Sequence, residues 1–346
     1  CHASYKLIVN LHNLTSYMNI NHRHFLKYIF IDNRYFKDQQ SLFLMSLSKN
    51  KLYIIAGLII VVLLFSYLEL LHPYNFTKDD NFAQFLPTII EGMEQLFSGN
   101  FPLINFHQYT GARIFETGTY AVLYPPMIFS YAVSHYVLDN DFLTFEVFAL
   151  IHLLLAFVFT YLFINSRVKN NLISLLASLA FTFSGYVIIA SSNWYYVLPT
   201  AVFMPLILLL NDNMVNNISY KNSVVLGIIR GIYFYSGNAQ YFAFAVLFEF
   251  LYMLMNKHKR DGNLKGIIEK YLVSGIITLI IALPLLVPQL SVAGDSSRGA
   301  RNIIGYIFSL PTSPRDLFLG SLLAYPIIKS SAPFSYSSSD FISIYY

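Results

Sequence analysis

Asp79 and Asp80 stand side by side in Thr77-Lys78-Asp79-Asp80-Asn81-Phe82-Ala83-Gln84-Phe85-Leu86-Pro87, just past the first long apolar run. Two adjacent carboxylates at such an exit are placed to meet a substrate at a membrane surface. One can take a proton from an attacking hydroxyl, or the pair can hold a divalent cation (Mg or Mn) that neutralises a phosphate leaving group. Asp80 also precedes an expected helix over 82–97, so it can equally be that helix's N-cap. Spacing alone leaves both open. His107 and Arg113, in His107-Gln108-Tyr109-Thr110-Gly111-Ala112-Arg113, offer a proton carrier or metal ligand and a phosphate contact; a plain surface loop offers the same residues. Arg230 lies about eight residues into an apolar run, roughly 12 Å along a helix, where a guanidinium needs a polar cavity or a partner. An anionic lipid phosphate suits its bidentate geometry, and Glu249 on the next run is the structural alternative. Arg298 and Arg301, among the small residues of 294–301, can wrap a phosphate or sugar, or belong to a solvated loop.

The elements that must position these groups are membrane helices. Of 346 residues, 56% are hydrophobic and only 12% charged, against about a quarter charged in a soluble domain. The chain cannot cover itself with an ordinary solvated surface. Seven apolar runs approach the roughly 20 residues that cross a bilayer: 51–68, 142–164, 172–190, 195–211, 222–236, 239–255 and 270–290. Many of the 31 Phe and 27 Tyr sit near the ends of these runs, where interfacial belts form. The net charge of +4 gives no reason to expect nucleic acid. The only cysteine is Cys1, which excludes disulfides, thiolate metal sites and a cysteine nucleophile in the body of the chain.

Loop charge orients the runs. Lys49 and Lys51, Arg167 and Lys169, Lys221, and then Lys257, Lys259, Arg260 and Lys265 all fall on one side when the first helix leaves the cytoplasm. The other side receives loop 69–141, the turns at 191–194 and 236–238, and the tail from 291. Residues 69–121 hold six acids against two bases, a net of −4. Helix 82–97 carries Phe82, Phe85, Leu86, Ile89, Ile90, Met93 and Leu96 at helical spacing, as an interfacial or roofing helix does. Segment 120–137 is read as a juxtamembrane or re-entrant helix with Pro126 in its first turn, because an eighth span would turn Arg167 and Lys169 outward. Residues 1–44, rich in Asn, His and Tyr without a period, read as a spurious or disordered extension before a start at Met45. Residues 291–346 read as an outer tail that is truncated.

In order along the chain come Asp79-Asp80-x-x-x-Gln84-x-x-Pro87, Gly111, Tyr124-Pro125-Pro126, Ile151-His152-Leu153, Ser184-Gly185-Tyr186, Gly237-Asn238-Ala239-Gln240, Pro284, Pro288-Gln289 and Ser296-Ser297-Arg298-Gly299. From about Met45 to Arg315 this resembles the bacterial YfhO-type membrane proteins, a branch of the GT-C glycosyltransferase superfamily. The resemblance implies an all-α polytopic membrane protein: a GT-C-like transmembrane helix bundle over 45–290 with juxtamembrane helices in a large first outer loop. It implies a multi-pass protein of the bacterial cytoplasmic membrane. The expected activity is transfer of a sugar from a polyprenyl-phosphate donor to a cell-envelope glycan or lipid acceptor on the outer face. Asp80 maps onto the first-loop catalytic aspartate, with Asp79 beside it as co-ligand of any cation. Gln84, His107, Arg113, Tyr124, Arg230, Asn238, Gln240 and Arg298 become the substrate-binding set. The chain departs from the family in lacking further spans and an outer soluble domain, which leaves open whether this length is active, and in carrying Asn238 where relatives often show His. A transporter or flippase of a lipid-linked glycan and a non-catalytic membrane assembly protein are the rival readings.

Overall fold

The structure, a computed structural model, describes residues 50–108, 111–216, 219–255 and 264–295. The expectations for 1–44, for the tail beyond Asp295 and for Arg298 lie outside the described residues. The chain divides into a first unit, Cys1–Ile55, of which only the start of the first helix is described, and a second, Ala56–Tyr346, which holds everything discussed below.

The fold is an all-α, multi-helix bundle. Helix α1 (Asn50–Leu71) enters a long first loop. That loop holds a π-helical turn (Asn81–Phe85) continuing into α2 (Leu86–Phe97), a small antiparallel hairpin of β1 (Ile104–Asn105) and β2 (Ala112–Arg113), and α3 (Pro125–Tyr136). Then follow α4 (Thr144–Val168), α5 (Asn171–Thr182) with a second π-helical turn (Tyr186–Ala190), α6 (Val197–Asn216), α7 (Tyr220–Phe234), α8 (Ala239–Met255) and α9 (Leu264–Asp295).

Five helical stretches are long and apolar enough to cross a membrane: Asn50–Leu71, Asp141–Val168, Asn171–Asn193, Val197–Val215 and Lys265–Val292. The fifth and sixth expected runs, 222–236 and 239–255, form helices shorter than these five. Helix α7 has 15 residues, about 22 Å at 1.5 Å per residue, short of a hydrocarbon core of roughly 30 Å. The apolar part of α8 is also shorter than a span. Ser219 caps the start of α7 through Asn222 N–H, and Gly237, at φ +109°, turns the chain between α7 and α8. Helices α2 and α3 have 12 residues each, roughly 18 Å, so neither crosses.

Helix α4 is the hub. It packs along α5 and α6, and α3 lies against it, tied by Ser134 Oγ to Thr144 Oγ1 at 2.9 Å. Helix α7 packs most closely on α9, and its Gly227-x-x-x-Gly231 spacing is the reason: a Cβ on Gly227 would fall 2.7 Å from the Ser274 carbonyl oxygen, and one on Gly231 2.6 Å from Ile281. Small residues spaced by four let membrane helices approach this closely. On α2 the buried side is Leu86, Ile89 and Met93, one stripe of the expected apolar face, while Phe82 is exposed.

The two ends of the bundle differ chemically. At one end Arg167 Nε donates to Asp212 at 2.9 Å, Tyr252 donates to the same carboxylate, and Lys270 pairs with Glu269 over the Tyr220 ring. At the other end the first loop meets the 191–196 turn, the 236–238 turn and the end of α9, where Gln289 Nε2 donates to the Thr117 carbonyl at 3.0 Å. Loop charge in the sequence sorted these same turns to a common side.

Candidate functional site

Asn81 builds the site. Fully buried, it donates through Nδ2 to the carbonyls of Phe76 (2.8 Å), Ser191 (2.8 Å) and Ser192 (3.1 Å), and accepts the Tyr195 N–H on Oδ1 at 2.9 Å. One side chain thereby pins the start of the first loop to the turn after α5. A π-helical turn lies on each side of this clamp, at Asn81–Phe85 and Tyr186–Ala190. Such insertions re-aim side chains and are frequent at functional positions.

The clamp sets Asp80 beside Trp194. Asp80 occupies the N-cap position but its carboxylate caps nothing; instead Oδ2 accepts the indole N–H of Trp194 at 3.0 Å. The capping alternative is therefore not the one adopted. Asp79 is exposed and left-handed at φ +47°, a conformation that a non-glycine adopts at a cost and that clusters at functional sites. Tyr196 stands next to the pair. Burial, followed by the nearby Asp80 carboxylate, pushes its hydroxyl up to about 12, so it is neutral at any physiological pH. Asn238 Oδ1 caps α8 through the N–H groups of Gln240 (2.9 Å) and Tyr241 (3.0 Å). Phe85, Tyr195, Tyr196 and Tyr241 continue the aromatic wall, with successive ring centroids 5.3–6.0 Å apart.

Below this polar mouth runs an apolar cavity of about 420 Å³, lined by Thr160, Phe163, Tyr186, Thr200, Met204 and Phe248 among others. Its lining follows α6 from Thr200 to Leu208, roughly 12 Å of helix. Thr200 joins it to the mouth, because Thr200 Oγ1 bonds the Tyr196 carbonyl at 3.1 Å and the Tyr233 hydroxyl at 2.9 Å. Two of its lining residues, Phe181 and Phe248, are exposed on the outside of the bundle.

The structure brings Asp80 and Asn238 together around Tyr196, with Gln84 half-buried one helical turn on from Asp80 and Gln240 exposed on the first turn of α8. The remaining candidates are elsewhere. His107 is exposed near the small hairpin, and Arg113, on β2, pairs with Glu116 at 3.0 Å. Tyr124 is a core residue: 1% exposed, its hydroxyl lies 3.0 Å from His152 Nε2. His152 Nδ1 contacts the Phe148 carbonyl at 2.7 Å, so Nδ1 carries the hydrogen and Nε2 accepts from tyrosine. Arg230 is a correction to its expected role in substrate binding. It is 3% exposed and engaged inside the bundle: Nε and Nη2 donate to Glu249, Nη1 to Ser274 Oγ at 3.0 Å, and the guanidinium lies 4.5 Å from the Tyr271 ring centroid. Of its two open partners, the structure seats Glu249, which Asn211 also holds at 2.9 Å.

Asn81, Trp194 and Tyr196 were not singled out from the sequence as site residues. Trp194 carried a signal, being the one tryptophan of the chain and lying in a loop on the acidic side. Asn81 carried none beyond adjacency to Asp80. For a cation, Asp79 and Asp80 supply two carboxylates, and among the described residues no group of three or more His, Cys, Asp or Glu forms a fuller cage. Mg²⁺ is commonly held by one or two carboxylates plus substrate phosphates, and the pair fits that kind of set. No protein-family model, no curated protein and no solved structure matches this chain.

Proposed function

We propose that the protein is a membrane glycosyltransferase, moving a sugar from a polyprenyl-phosphate donor to a cell-envelope glycan or lipid acceptor on the outer face of a bacterial cytoplasmic membrane. One observation carries the reading: a carboxylate fixed at a polar, aromatic-walled mouth stands above an apolar cavity whose lining reaches the lipid-facing side. An amphiphile with a hydrocarbon chain and a sugar-phosphate head has this division of chemistry.

In this mechanism the acceptor hydroxyl attacks the anomeric carbon from the side opposite the phosphate. The new carbon–oxygen bond forms, the bond from that carbon to the phosphate oxygen breaks, and polyprenyl phosphate leaves with inversion. Asp80 takes the acceptor proton. The Trp194 indole engages Oδ2, which leaves Oδ1 for the hydroxyl. The aromatic wall gives the sugar ring faces to stack on. A divalent cation on Asp79 and Asp80 would neutralise phosphate charge. Lys78, exposed beside Asp79 and bonded to Asn75 at 3.0 Å, is a further cation for the leaving group.

The test is Asp80→Asn, assayed for transfer from a synthetic lipid-phosphate sugar by the full chain in proteoliposomes. Loss of a general base costs about 10²–10⁴-fold, and undiminished transfer by the variant removes Asp80 from the mechanism. The same cavity suits a flippase of lipid-linked glycans. That reading predicts glycan movement between leaflets with no new glycosidic bond and no response to Asp80→Asn.

A further inference from the structure

The small hairpin of the first loop leaves an apolar strip uncovered. Phe101, Leu103 and Phe106 are each at least half exposed, Phe106 at 76%, and 101–106 contains no charged residue. Its backbone lies alongside 113–115. The Leu103 carbonyl accepts the Ile114 N–H at 2.8 Å, the Pro102 carbonyl accepts the Phe115 N–H at 3.2 Å, and Phe101 meets the Phe115 ring edge-on with centroids 4.8 Å apart. Ile114 and Phe115 in turn line one small gap with Leu285 of α9, and Gln289 of α9 holds the Thr117 carbonyl. The strip therefore stands beside α9, and α9 sets its level.

Between Lys270 and Asp295 the sequence of α9 carries no charged side chain, a stretch of roughly 37 Å. A hydrocarbon core of roughly 30 Å centred on that stretch ends near Val292, where the apolar stretch of the helix also ends. Leu285 then lies roughly 10 Å inside the outer edge, and the loop residues that pack on it lie at the level of the outer leaflet rather than above it in water. Leu283, Val287 and Leu290 are exposed on the same length of α9. The strip thus continues a surface that the membrane already covers. The paired charges of Arg113 and Glu116, both partly exposed, give the hairpin a polar border suited to headgroups.

We infer that Phe101, Leu103 and Phe106 form a wedge seated in the outer leaflet, its partner being the glycerol and upper acyl region of the lipids. Interfacial elements cover exposed apolar side chains in this way, and aromatic residues gather at this level. The wedge is tied to α2: Gln95 Nε2 donates to the Ile104 carbonyl at 2.9 Å, and Asn105 Nδ2 to Thr88 Oγ1 at 3.3 Å. Helix α2 continues the π-helical turn that starts at Asn81, beside Asp80. Seating the wedge in lipid thereby fixes the height of the polar mouth relative to the headgroups. The inference is independent of whether Asp80 performs catalysis.

The experiment places a nitroxide on the full chain in nanodiscs of phosphatidylethanolamine and phosphatidylglycerol. Cys1→Ser removes the only native thiol, and Leu103→Cys or Phe106→Cys supplies the new one. Both side chains are exposed, so neither label opens the core, and Val287→Cys on α9 is the lipid-facing reference. Collision with oxygen, which concentrates in lipid, is compared with collision with a water-soluble nickel chelate. Both loop labels are expected to favour oxygen, as the reference does, and to read a depth of about 5–10 Å past the headgroup boundary. Preference for the nickel chelate at either loop position overturns the inference, because the strip then stands in water. Protection from both reagents overturns it as well, since another part of the chain, a second copy or a protein partner would then cover the strip in place of lipid.

Discussion

Truncating either member of the Arg230–Glu249 pair is expected to cost far more than removing both. Arg230 lies ten residues along α7, about 15 Å from its start, and is 3% exposed, while Glu249 is wholly buried. Glu249→Leu leaves a guanidinium with only Ser274 Oγ and the Tyr271 ring, and Arg230→Met leaves a carboxylate with only Asn211. An uncompensated buried charge costs about 3–5 kcal/mol, whereas replacing the whole pair by apolar side chains of similar volume is often neutral. The double variant should therefore lie within about 1 kcal/mol of the wild type, with a coupling energy of at least about 4 kcal/mol. Neutral interhelical hydrogen bonds in membranes average only about 0.6 kcal/mol, so the two cases separate cleanly. Denaturant titration in mixed micelles, followed by Trp194 fluorescence, measures the cycle. Additive effects with each single variant costing under about 1 kcal/mol would refute the closed pair. Loss of anionic-lipid binding in Arg230→Met alone, at full stability, would restore lipid phosphate as its partner.

Gly227→Ala is expected to destabilise the α7–α9 seam by about 1–3 kcal/mol, the usual cost of overpacking, because the new methyl would meet the rigid Ser274 carbonyl at 2.7 Å; Gly275→Ala, with nothing within 4 Å, is the neutral control in the same unfolding assay. Asn81→Ala removes four hydrogen bonds, roughly 2–6 kcal/mol at about 0.5–1.5 each. It should also shift the emission of the chain's only tryptophan to the red as the 191–195 turn detaches. An unshifted spectrum would mean that Asn81 does not position Trp194.

Hydrophobicity is a local, additive property, and it was legible residue by residue. The scarcity of charge and the apolar runs established a membrane bundle, and the signs of the loops sorted its turns into two groups that the structure keeps at opposite ends. Periodicity also found helix 82–97, although not the π-helical turn that opens it, since an inserted residue leaves no mark on an apolar stripe. At α7 and α8 the apolar runs 222–236 and 239–255 form helices of 15 and 17 residues, shorter than the five long apolar stretches, with Ser219 capping the start of the first and Gly237 turning the chain between the two. Partners were not legible. Asp80 and Trp194 are 114 residues apart, Asn81 and Ser191 are 110, and no period encodes which residues of distant turns will touch. Arg230 shows the division most clearly. Its depth alone required a partner, because a charge in hydrocarbon must be compensated, but two candidates satisfied that rule equally, and only the packing of α7 between α8 and α9 chose Glu249. Asp80 follows the same logic: its position beside an apolar exit was readable from the chain, and its bond to Trp194 rather than to its own helix was decided by Asn81, which ties two remote turns together.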